Sequence, residues 1–116
     1  MNIQSEIDFF SDLCPVDKAR FIVRLIAEVS EETKVGAGDG HDLSRLKFAV
    51  EMNQRLGRFA YQLLSEDAAR PPDDVVIRML LGQRADKHCQ RIMQSSYRRV
   101  LTSFESFDTT VLLNAH

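Results

Sequence analysis

The side chains in this sequence that could do chemistry are few, and their spacing keeps most of them apart. His88 and Cys89 are adjacent, as a thiol and its base would be. On a helix, however, neighbouring side chains point about 100° apart. Cys89 also falls among the apolar positions, where cysteine serves as a small hydrophobe. Asp39, His41 and Asp42 offer three metal donors in the run Gly36-Ala37-Gly38-Asp39-Gly40-His41-Asp42. Three donors on a glycine-rich connection read better as a linker, with Asp42 as the N-cap of the helix that follows. The same loop lacks the preceding strand and the Gly-Lys-Ser/Thr ending of a phosphate loop. Glu28, Glu31 and Glu32 crowd one helix end without the Glu-x-x-His pattern of di-iron bundles. No nucleophile elbow is present. The expectation is a protein without catalytic residues, metal or cofactor, and so not an enzyme.

Two other features are candidates for binding. Arg84, Lys87, Arg91 and Arg98 follow one another at i, i+3, i+7 and i+14, with Asp86 the only acid nearby. Such a stripe can neutralise phosphates. No aromatic residue interleaves with it, so a solvated face, or one paired with the acidic second helix, is the favoured reading. Asn53 stands in the middle of an apolar stripe, flanked by Leu46, Val50, Gly57 and Ala60. A buried amide without partners costs roughly 1–3 kcal/mol, so Asn53 is expected to be hydrogen-bonded. The favoured partner is the backbone of a neighbouring helix. The alternative is an amide that recognises a ligand or fixes the pairing of two chains. Gly57, one turn further on, suggests close helix approach at the same level.

The elements that must position these residues are helices. Ile3, Ile7, Phe10 and Cys14 recur at helical spacing, which predicts a short first helix over Ile3–Leu13, ended by Pro15. Pro15 then opens a second helix to about Lys34, with Asp17 facing its positive end. Ala19, Ile22, Val23, Ile26 and Val29 form its expected buried face, with Leu25 alongside. Three glycines between Gly36 and Gly40 stop it. A third helix is expected over Asp42–Ser65. After Pro71-Pro72-Asp73-Asp74 the chain reads as helical to about Phe107, but its apolar phase shifts. Val76, Ile77, Leu80 and Leu81 point one way; Ala85, Cys89, Ile92, Met93, Val100 and Phe104 point more than 100° away. One straight helix cannot bury both sets in one core, so the spacing predicts a break near Gly82. Val111-Leu112-Leu113 is expected to lie back on the bundle.

The third helix is apolar over more than half its circumference. Leu43, Leu46, Ala49, Val50, Gly57, Ala60, Tyr61 and Leu64 cluster on one side, and Phe48, Met52, Leu56, Phe59 and Leu63 extend it. An arc this wide needs neighbours on two sides. Phe48, Met52 and Phe59, at i, i+4 and i+11, form a ridge nearest the polar strip. They are the expected partner-binding residues, with a two-fold homodimer as the simplest closed arrangement. The rival is that the first helix covers the ridge within one chain.

Composition sets outer bounds. The 116 residues suit one domain over 1–116, and 44% hydrophobic with 28% charged residues is the composition of a folded chain. No apolar run is long enough to span a membrane, and no signal-peptide pattern is seen, so a cytoplasmic protein is expected. Cys14 and Cys89 read as two free thiols in a reducing compartment. The net charge of −2 hides an acidic front, with four basic and nine acidic groups in residues 1–44, and a basic back, with six against one in residues 75–104. These two halves are suited to attract each other within the fold.

The run Ala49-Val50-Glu51-Met52-Asn53-Gln54-Arg55-Leu56, followed by an acidic, proline-containing connection and a long amphipathic helix, resembles two groups. One comprises small bacterial helical proteins; the other comprises the flagellar regulators that control flagellin synthesis. The resemblance to the regulators covers about half the chain and departs at Gly57, where they carry tryptophan. No family is assigned on it. The expectation is an all-α, compact helical bundle of about four to five helices that acts through protein–protein contact, as a small regulatory or adaptor protein. The alternatives are a nucleic-acid binder using the Arg84–Arg98 stripe, or a small-ligand binder with Asn53 lining an interhelical cavity.

Overall fold

The computed structural model describes residues 2–36, 43–83 and 85–114, with side chains for 2–33, 46–83 and 85–104. Five helices account for nearly all of it: α1 (Ile3–Ser11), α2 (Pro15–Gly36), α3 (Leu43–Leu64), α4 (Asp73–Leu80) and α5 (Lys87–Asn114). No strand occurs among the described residues. Local sequence explains most of the boundaries. Asn2 caps α1, its side-chain oxygen accepting from the Gln4 amide at 3.0 Å. Pro15 opens α2, where its missing N–H is no loss, and Asp17 sits in the first turn. Pro72 precedes α4, whose first turn holds Asp73 and Asp74.

The break expected near Gly82 is present and has a specific geometry. Gly82 has φ 75°, a left-handed conformation that glycine adopts without steric cost. Its N–H donates to the Met79 carbonyl and the Gln83 N–H to the Arg78 carbonyl, both at 3.0 Å. These two bonds form a Schellman C-cap that satisfies the last carbonyls of α4. Asp86 then caps α5, its Oδ1 accepting from the Cys89 N–H at 2.8 Å. The turn between the two caps lets both apolar sets enter one core: Val76, Ile77, Leu80 and Leu81 from α4, and Cys89, Ile92, Met93, Val100 and Phe104 from α5, are all buried.

The core centres on Phe21. Its ring meets Phe9, Phe10, Tyr97 and Phe104 edge-on, with centroids 6.1, 6.4, 5.3 and 5.5 Å away. This cluster locks α1, α2 and α5 together. Tyr97 is fully buried, and its hydroxyl donates to Glu6 Oε2 at 2.6 Å. Asp73 at the start of α4 accepts from Ser11 at 2.8 Å and from Lys18 at 3.0 Å, tying α4 to the end of α1 and the start of α2. The first helix therefore packs chiefly on α4, and α3 packs chiefly on α2. With six residues between them and contact along their length, α2 and α3 run antiparallel.

Two expectations about faces are corrected here. Val23 was placed on the buried side of α2, but it is 56% exposed. The core direction of α2 is set by Ile22, Leu25 and Val29, and Val23 lies to one side of it. In α3 the buried line is Ala49, Met52, Leu56, Ala60 and Leu63. Met52 belongs to the core, and Phe48 and Phe59 are half-buried against it. The ridge expected to stand in water is turned inwards. The solvent-facing part of the arc is instead Leu46, Val50, Tyr61 and Leu64.

Candidate functional site

The outer face of α2 and α3 carries the main unpartnered apolar surface among the described residues. On α3, Leu46 is 43%, Val50 55%, Tyr61 68% and Leu64 57% exposed. Val50 and Leu64 lie two heptads apart with Gly57 midway, and Asn53 stands one heptad from Leu46. On α2, Val16 at 55% and Val23 at 56% exposure continue the heptad line of Ser30, on the flank nearest α3. Heptad spacing with apolar residues is the pattern that seats one helix on another.

Asn53 lies where this outer face meets the α2–α3 seam. Its Nδ2 donates to the Ser30 hydroxyl over a long 3.5 Å, and its Oδ1 is buried with no hydrogen-bond partner. The partner is thus a side chain of α2, where a backbone group was expected. Gly57 was expected to mark close helix approach, but a Cβ placed there would meet nothing within 4 Å. The space beside Gly57 is open. Residue spacing alone could not separate these cases, because both sides of the seam are apolar.

A cleft of about 370 Å³ opens on the other side of α3, toward α4. Phe48 and Met52 line its floor with Val75 and Met79, and Arg55, Arg78 and Glu51 stand around it. Arg78 is engaged with Gln83, at 3.3 Å. Asn53 is not among the residues lining this cleft.

Lys87, Arg91 and Arg98 are exposed on α5, and Arg84 lies outside the described residues. The cation that meets the acidic second helix is a different one. Arg99 reaches Glu28 at 3.1 Å and Glu32 at 2.7 Å, and also contacts Ser95. Asp39, His41 and Asp42, weighed as metal donors, lie outside the described residues as well. His88 is exposed, whereas Cys89 is buried and its thiol lies 3.6 Å from Asp86 Oδ2. The backbone and thiol of Cys89 hold the Asp86 carboxyl below its ordinary value. Cys14 and Cys89 are both free thiols.

The described residues form a five-helix all-α bundle, and no described helix is long and apolar enough to cross a membrane. No protein-family model, characterised protein or solved structure matches the chain.

Proposed function

We propose that this protein acts by contact, as a small regulatory or adaptor bundle that presents the outer face of α2 and α3 to a protein partner. The observation that carries this reading is the line of Leu46, Val50, Tyr61 and Leu64, 43–68% exposed along one side of a single helix. Isolated exposed apolar residues are ordinary, but four along one side of a helix, with Val16 and Val23 exposed on its neighbour, mark an interaction surface. The reading is non-enzymatic: Cys89 is buried, His88 faces solvent, and the Arg99 guanidinium is engaged with two carboxylates. The placement in the cytoplasm belongs to the same proposal and fits two free thiols.

A photo-crosslinking residue placed at Tyr61, and separately at Arg91, tests the face in cells that make the protein. Tyr61 is expected to yield discrete crosslinked protein bands, with Arg91 yielding none. Bands at Arg91 with none at Tyr61 would move the contact surface to α5 and overturn the reading.

A further inference from the structure

We infer that the occupant of this face is a second copy of the same chain, with α3 pairing antiparallel to its counterpart about a two-fold axis at Gly57. The inference rests on the contact reading above and adds the partner, the orientation and the register. In an antiparallel two-fold pair, residues equidistant from the axis on either side stand opposite one another. Val50 and Leu64 lie seven residues either side of Gly57, so each exposed Val50 meets the partner's Leu64. Asn53 and Tyr61 lie four residues either side, which brings the most exposed ring on the helix to the level of the partner's Asn53.

Charge follows the same symmetry. Lys47 lies near the start of α3 and is exposed, and exposed Glu66 and Asp67 lie just beyond its end at Leu64. An antiparallel arrangement brings Lys47 of each chain toward the acidic end of the other's α3. A parallel pairing in the same register would set Lys47 against Lys47 and leave the acids facing each other. At the axis, glycine lets two backbones approach, and the space a Cβ would take there is empty.

The dimensions also suit a dimer. From Leu46 to Leu64 the line is about 27 Å long at 1.5 Å per residue. A face two helices wide is about 20 Å across, so pairing it buries on the order of 1,000 Å² in total, at the lower limit for a specific interface. Val16 and Val23 on α2 contribute the second helix of that width.

The test uses the full chain with Cys14→Ser and Cys89→Ala, followed by sedimentation equilibrium and oxidative crosslinking. Gly57→Cys is expected to form a disulfide-linked dimer. Val50→Cys alone is not, since two copies of that residue lie about 21 Å apart along the axis, far beyond disulfide reach. Mixed with Leu64→Cys, it is expected to crosslink. Lys47→Glu is expected to weaken association at least tenfold, and adding Asp67→Lys to restore it. Circular dichroism of each variant separates a lost interface from a lost fold, and Tyr61→Ser on the exposed face serves where Gly57→Cys fails to fold.

A 13.2 kDa monomer up to millimolar concentration would overturn the pairing. So would self-crosslinking of Val50→Cys, which signals a parallel arrangement. If the chain is monomeric while Tyr61 still crosslinks to another protein in cells, the pairing falls and the contact reading stands. If neither occurs, both fall.

Discussion

A Cβ on Gly82 would stand 3.0 Å from Met93 Cβ and 3.1 Å from Gln90 Cα, so the end of α4 is seated directly on the first turns of α5. This contact works together with the left-handed φ of 75° at the same residue. One glycine therefore ends α4, turns the chain and allows the close packing that brings the α5 apolar face into the core.

Gly82→Ala is accordingly expected to destabilise the fold by about 2 kcal/mol, adding the strain of a left-handed non-glycine residue to steric contact with Met93. Urea denaturation measures it. A change below about 0.5 kcal/mol would mean that the turn relaxes freely and that the Schellman geometry is not needed.

The two sides of α3 are expected to respond in opposite ways. Leu56→Ala removes a fully buried side chain and should cost about 2–5 kcal/mol. Val50→Ser, at a position 55% exposed, should change the stability of the isolated chain by about 0.5 kcal/mol or less. Thermal melts at low micromolar concentration compare them. A reversed order would place Val50 in the core.

Among the basic residues of α5, Arg99 is expected to matter more to folding than Arg91 and Arg98. Arg99→Ala breaks contacts with Glu28 and Glu32, all three side chains being 40–44% exposed, so a loss of about 0.5–1 kcal/mol is expected, smaller at high salt. Replacing Arg91 and Arg98 together should change stability by less than about 1 kcal/mol. Wild-type binding to generic DNA or RNA, with affinity falling steeply as salt rises, would turn attention to these two side chains as phosphate contacts.

Asp86 gives the fold a specific acid sensitivity. Its carboxyl is held below the ordinary 3.8 by the hydrogen bonds from the Cys89 backbone and thiol. A carboxyl depressed in the folded state contributes stability that is complete above its unfolded value and is lost as pH falls through the folded value. Asp86→Ala should therefore melt below the wild type at pH 7, with the gap narrowing below about pH 4. A gap that stays constant between pH 7 and pH 2 would show that the carboxylate charge plays no part in the cap.

Much of the local architecture was written in the order of residues. The Pro15 and Pro71-Pro72 restarts, the glycine run after α2 and the phase shift between Leu81 and Ala85 are local signals, because proline, glycine and helical periodicity act over a few residues. They placed the three boundaries before α4 and the break at Gly82 between α4 and α5. The width of the apolar arc on α3 was also legible. Which part of that arc meets the core was not. Phe48, Leu56 and Val50 are apolar alike, and the phase of one helix records only that they share a broad face. The position of α2 and α4 against α3 decides that Leu56 is enclosed while Val50 and Tyr61 remain in water. Likewise, Arg98 and Arg99 are adjacent cations in the sequence, and only the packing of α5 on α2 brings the second of them to Glu28 and Glu32. Those outcomes depend on how helices far apart in the chain are oriented around Phe21, a relation that no local spacing encodes.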